Sequence, residues 1–84
     1  MAEQWSRGGY KPRDLVFHAF AQKPEGSDRW VPLRAGTFDA IREEARHYAA
    51  IHRTRVLIIA LSIDAEAPTG LTEHALLRRG QPWY

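Results

Sequence analysis

An amphipathic helix pattern that runs directly into an unbroken apolar stretch constrains this chain more than any other feature. Positions 36–64 read GTFDAIREEARHYAAIHRTRVLIIALSID. Apolar residues recur there at three- and four-residue steps, through Phe38, Ile41, Ala45 and Tyr48, which is the spacing of one helix face. Thr37 is a residue type that caps helices, because its hydroxyl accepts a hydrogen bond from an unpaired first-turn amide. We therefore predict a helix over residues 37–53.

The apolar stretch after the helix, VLIIALSI at positions 56–63, predicts a buried strand. It is rich in β-branched residues and does not alternate with polar ones, which indicates that both of its faces are covered. A membrane-spanning helix needs about 20 apolar residues, so we expect no membrane partner for so short a run.

Two further strands are predicted before the helix. Residues 14–22 and 29–34 form a hairpin around a loop that contains Pro24 and Gly26, and Pro32 places the second strand at a sheet edge, because proline cannot donate to a ladder. The segment 71–79 fits either a short helix or a strand. Residues 1–13 read as an irregular arm, with a single domain over residues 14–84.

These elements predict an α+β fold: a small antiparallel or mixed sheet, ββαβ with an optional fourth short element, and one amphipathic helix packed on one face. If the helix returns the chain over the sheet, the apolar strand lies antiparallel to the first strand, and the strand order is 2-1-3. We expect one core, formed by Phe17, Ile41, Ala45, Tyr48, Val56 and Ile58.

That arrangement leaves apolar surface without cover. The apolar strand would lie at an edge, which soluble proteins avoid, and the sheet face away from the helix would be open. Either segment 71–79 or another molecule could cover the edge strand, and either the aromatic chain ends or another molecule could cover the face. We therefore expect a protein partner or a homodimer interface, with its anchors at Val16, Phe20, Trp30, Trp83 and Tyr84.

Composition narrows the function classes. The chain has 84 residues, no cysteine and a formal charge of +2, which excludes a disulfide framework and a thiol nucleophile and favours the cytoplasm. Ten of the twelve basic residues are arginine, which suits bidentate contacts to carboxylate or phosphate. A nucleic-acid surface would use Arg7, Lys11, Arg13, Arg42, Arg46, Arg53, Arg55, Arg78 and Arg79.

Catalytic patterns are weak. No serine lies in a Gly-x-Ser-x-Gly turn and no glycine-rich loop follows a strand. Glu43 and His47 are four residues apart, but a metal site would need a third ligand from His18 or His74 across the fold. Asp64 and Glu66 at the end of the apolar strand are expected to be solvated loop residues.

We therefore expect no enzyme activity, no cofactor and no metal site. The sequence favours a non-catalytic interaction module, a small accessory regulator or inhibitor that binds a macromolecular partner. Two alternatives stay open: a nucleic-acid-binding protein, and a small metal-independent ribonuclease that uses Arg46, His47 and Tyr48.

Overall fold

The protein is described from a computed structural model over residues 15–83, so the predicted arm at residues 1–13 and the last residue, Tyr84, lie outside the described part. The elements in chain order are β1 (Leu15–Gln22), β2 (Trp30–Gly36), α1 (Phe38–His52), β3 (Val56–Ser62), α2 (Glu73–Leu77) and β4 (Pro82–Trp83).

The four strands form one antiparallel sheet in the order β2-β1-β3-β4. The α+β class and the 2-1-3 order are confirmed, with β4 added beside β3. In the register of β1 and β3, Ala19 lies opposite Ile58. Strand β2 is outermost, as Pro32 predicted.

Helix α1 matches its prediction to within one residue at each end. The Thr37 hydroxyl accepts a hydrogen bond from the amide of Ala40 at 3.3 Å and closes the first turn. The helix ends at His52 and is capped by Arg53, whose amide donates to the carbonyl of Ala49. The φ of 52° at Arg53 lies in the left-handed region and lets the amide of Thr54 donate to the same carbonyl at 3.3 Å.

Under α1 lies one of two core clusters. Ala19, Ile41, Ala45 and Ile58 are buried there, with Phe17, Leu33 and Val56 packed around them. Tyr48 was predicted to join this core, and that prediction is wrong. It is half-buried outside this cluster, and its ring packs on the helix itself, with its centroid 4.1 Å from that of His52.

The opposite sheet face carries a second core cluster, which the predicted single core did not include. Its fully or nearly fully buried members are Phe20, Trp30, Leu57, Ile59, Leu61 and Leu76. Leu76 comes from α2, so of the two structures predicted for residues 71–79, a short helix or a strand, the helix is observed. The Thr72 hydroxyl caps it by accepting a hydrogen bond from the amide of Ala75 at 3.2 Å. The chain therefore covers this face itself, and the expectation of an uncovered apolar face is wrong.

Two strand boundaries also differ from prediction. Strand β2 continues to Gly36 rather than ending at position 34, because β1 offers it partners as far as Phe17. Strand β3 stops at Ser62, whose carbonyl accepts a turn bond from the amide of Ala65 at 2.9 Å. Ile63 thus leaves the strand and is 61% exposed.

Strand β4 covers only part of the β3 edge, where it pairs with Ile58 and Ile59. Gly80 makes the approach possible, because a Cβ atom there would lie 2.7 Å from the carbonyl oxygen of Ala60. The N-terminal part of β3, at Val56 and Leu57, has no strand partner on this side among the described residues.

Candidate functional site: a groove between helix and edge strand

In the described part of the chain, a groove of about 340 Å³ lies between α1 and the N-terminal half of β3. We call it the α1–β3 groove. Its lining residues come from the helix, the link after it, the strand and β4: Arg42, Ala45, Arg46, Ala49, Thr54, Arg55, Val56, Leu57, Ile58 and Trp83.

The floor of the groove is apolar because the helix presents small residues toward β3. Ala45 and Ala49 are one helical turn apart, so neither fills the space above Val56 and Ile58. The remaining depression is lined by aliphatic carbon.

Trp83 closes one end of the groove. Its ring packs edge-on against Phe17 at 5.0 Å between centroids and against Phe38 at 5.7 Å. Trp83 nevertheless remains 42% exposed, which is high for the largest apolar side chain. It offers an aromatic surface to a ligand while its other contacts hold it in place.

Arginines form the rim. Arg42 and Arg46 line the groove from one side of α1, four residues apart, and Arg55 lines it from the link after the helix. Arg53 does not line the groove; it lines a second, more open depression of about 660 Å³ beside the hairpin loop, together with Glu25 and Arg55. The groove is therefore basic along its helix edge, at Arg42 and Arg46.

The rim arginines differ in how firmly they are held. Two guanidinium nitrogens of Arg55 donate to the two carboxylate oxygens of Glu73, each at 2.9 Å, and the same guanidinium lies 5.4 Å from the ring centroid of Trp30. The hydrogen bond from Arg55 lowers the pKa of Glu73 below its ordinary value. The Glu73 amide in turn donates to Asp28 at 2.9 Å. Arg55 thus belongs to a fixed polar network.

The helix arginines are less constrained. Arg46 has one exposed contact to Glu43 at 3.3 Å, the kind of surface pair that contributes about 0–1 kcal/mol. The side chains of Arg42 and Arg53 have no ion pair or hydrogen bond with any residue in the described range 15–83. These three side chains can turn toward a ligand at little cost.

The predicted partner anchors are dispersed. Phe20 and Trp30 are 0% exposed inside the second core cluster, so they stabilise the fold and present no surface to a partner. Val16 is half-buried at the start of β1. Trp83 alone among the described anchors reaches a groove, and Tyr84 lies outside the described residues.

The predicted nucleic-acid residues divide into three groups. Arg42, Arg46, Arg53 and Arg55 converge on the groove and the adjoining depression. Arg78 and Arg79 are exposed just after α2, outside the lining of both. Arg7, Lys11 and Arg13 lie outside the described residues.

The candidate metal and ribonuclease residues do not converge. Within residues 15–83, no three His, Asp or Glu side chains are grouped closely enough to hold a metal ion. His18 is buried on the α2 side of the sheet, and this burial lowers its pKa. Arg46 and His47 share a shallow depression on α1, but Tyr48 does not line it and stacks on His52 instead. The trio proposed for a ribonuclease is thus divided between two sides of the helix.

Sequence reasoning missed the groove itself. Its local signals were present: the arginine spacing along α1 and the two alanines between them. The groove also depends on the pairing of Trp83 with Ile58, which no local pattern indicates.

No protein-family model matches the sequence, and no curated protein or solved structure matches it. Among the described residues, no helix is both long and apolar enough to cross a membrane. The fold and the site define an α+β domain with a four-stranded antiparallel sheet and an arginine-rimmed apolar groove.

Proposed function

We propose that this chain is a non-catalytic interaction module, an accessory regulator or inhibitor, that binds a protein partner through the α1–β3 groove. The observation that carries the proposal is the groove's construction: an aliphatic floor, a half-exposed Trp83 at one end and arginines along the rim. Tryptophan and arginine are the residues that most often anchor protein interfaces. In this proposal the protein acts in the cytoplasm and needs no cofactor.

A matched pair of helix variants tests the proposal. Ala49→Glu places a long charged side chain in the groove, whereas Ala50→Glu makes the same change on the neighbouring, exposed position outside it. Both variants should keep the circular dichroism spectrum of the wild type. In pull-downs from the native host, a specific partner should be recovered with wild type and Ala50→Glu but not with Ala49→Glu. Recovery with all three proteins would contradict a role for the groove.

The main argument for the homodimer predicted from the sequence was an uncovered sheet face. That argument is removed, because α2 and Leu71 cover this face. We propose that the chain binds its partner as a monomer. Light scattering at micromolar concentration should give the mass of one chain, 9.6 kDa. A mass twice as large would restore the homodimer.

Nucleic-acid binding is the second candidate, favoured by the arginine spacing on α1 next to an exposed Trp83. Single-stranded nucleic acid is bound by basic tracks with aromatic rings on which bases stack. If Arg42, Arg46 and Arg53 each neutralised a phosphate, log affinity for an oligothymidylate would fall with log salt at a slope of about −2. A flat or undetectable salt response would exclude this candidate.

A further inference from the structure

We infer that the α1–β3 groove takes an extended, acidic segment of the partner that carries at least one large apolar side chain. This inference rests on the proposed function and names the chemistry of the ligand. It is argued from the size of the groove, its floor, its rim and the strand edge beside it.

The size of the groove favours a linear segment as the inserted part. The volume of 340 Å³ is near the lower end of the range of about 300–1,000 Å³ that small-molecule pockets occupy. It therefore accepts a few side chains of a linear segment. The floor is formed by Ala45, Ala49, Val56 and Ile58. It favours an aliphatic or aromatic side chain from that segment, since burial of apolar area against these residues stabilises the complex.

The rim supplies the charge complement. Of the two helix arginines that line the groove, Arg42 has no ion pair or side-chain hydrogen bond within residues 15–83, and Arg46 has an exposed contact to Glu43. Guanidinium groups bind carboxylates in bidentate geometry, and these two lie one turn apart on the same helix. Carboxylates that flank the inserted apolar side chain would meet them.

The strand edge favours an extended conformation. Strand β4 pairs only with Ile58 and Ile59, and Val56 and Leu57 continue the same edge without a strand partner in the described part of the chain. A segment added along this edge could hydrogen-bond to the β3 backbone, which is a recurring mode of peptide recognition.

The same features argue against nucleic acid as the ligand. Sequence-tolerant binding of single strands uses successive aromatic rings, whereas within residues 15–83 Trp83 is the one ring that lines this groove. The remaining floor is aliphatic and offers no stacking surface. Arg55 already donates to both carboxylate oxygens of Glu73, so its guanidinium is engaged within the protein.

The test is selection of a displayed library of random short peptides on the immobilised protein, followed by fluorescence anisotropy of the selected peptides. We expect enrichment of peptides that combine aspartate or glutamate with a large apolar residue. Binding should be lost in Ala49→Glu and retained in Ala50→Glu. The double variant Arg42→Glu, Arg46→Glu should weaken binding by about tenfold or more, because charge-assisted contacts are lost. The matched control Arg78→Glu, Arg79→Glu should change it less than about twofold, because neither residue lines the groove.

The outcomes separate the inference from the proposed function. If the selected peptides are neutral or basic and their binding is lost in Ala49→Glu, the inference is overturned and the protein-binding function stands. Failure to recover any peptide or host partner that depends on Ala49 would overturn both. Displacement of the selected peptide by an oligothymidylate, with the same dependence on Arg42 and Arg46, would assign the groove to nucleic acid and overturn the inference.

Discussion

Replacement of Gly80 by alanine should detach β4 from the sheet. A Cβ atom at this position would lie 2.7 Å from the carbonyl oxygen of Ala60 and 2.8 Å from Cγ2 of Ile59. Close C–H···O contacts in proteins are about 3.3–3.6 Å, so the chain must move by roughly 0.6 Å or more. Ala60 cannot yield, because β3 is held by β1 on its other side, where Ala60 lies opposite Phe17.

The displaced part is therefore β4, whose pairing with Ile58 and whose Trp83 ring contacts with Phe17 and Phe38 would be strained. We expect Gly80→Ala to lower the free energy of unfolding by about 1–3 kcal/mol, the range for an overpacked site. Urea titration measures this loss. Proton–nitrogen NMR of the Trp83 indole should show a shift toward the position of an unpacked ring.

Gly36→Ala is the matched control. The nearest atom to its added Cβ is in the Ile41 side chain at 3.8 Å, an ordinary contact distance. This variant should be neutral or slightly more stable, because alanine reduces the entropy of the unfolded chain. If Gly80→Ala unfolds at the same urea concentration as Gly36→Ala and leaves the Trp83 resonance unchanged, the argument that β4 is held by a close backbone approach fails.

Three other variants give further tests. Ile58→Ala removes a buried side chain beneath α1 and should cost about 2–5 kcal/mol in denaturant unfolding, whereas a loss below about 0.5 kcal/mol would mean that Ile58 is not in the core. Burial lowers the pKa of His18 below 6.5, so the contribution of His18 to the free energy of unfolding should be full above pH 6.5 and should decline as the pH falls below that value. His18→Gln should flatten this pH dependence of the free energy of unfolding. The same pH dependence in wild type and His18→Gln would contradict the argument. Arg53→Gly should raise the melting temperature, because glycine adopts the left-handed φ of 52° without the strain of a side chain, and a lower melting temperature would argue against that strain.

Much of the fold could be predicted because its main elements carry strong local patterns. The helical periodicity from Phe38 to Tyr48 and the cap at Thr37 placed α1 correctly, and the unbroken apolar run placed β3. Pro32 identified the edge strand from its missing amide hydrogen. In each case the signal lies within a few consecutive residues.

The second layer of the fold could not be predicted in the same way. Helix α2 has five residues and only one that is fully buried, Leu76, which is too short for a period to emerge. Its role comes from a long-range arrangement in which the amide of Trp30 donates to the carbonyl of Leu71 at 2.8 Å and draws the segment across the sheet. Without that arrangement, Phe20 and Trp30 appeared to need a partner.

The candidate site could be predicted in its chemistry but not in its shape. Arginine enrichment and the prominence of Trp83 were visible in the sequence, and both contribute to the groove. Which arginines converge depends on where β4 ends and on the close approach at Gly80. The predicted set therefore mixed residues of the groove with Arg78 and Arg79, which follow α2.

Within the groove, the contacts of Arg55 separate it from the helix arginines. Glu73, to which it is bound, also donates its amide to Asp28, and the indole of Trp30 donates to the same Asp28 oxygen at 3.4 Å. Arg55 thus connects the start of β3 to the start of α2, above a fully buried tryptophan. A ligand carboxylate could recruit it only by competing with Glu73 and weakening the cover of the second core. Arg42 and Arg46 carry no such cost, so recognition of an acidic segment should depend on these two helix residues rather than on Arg55.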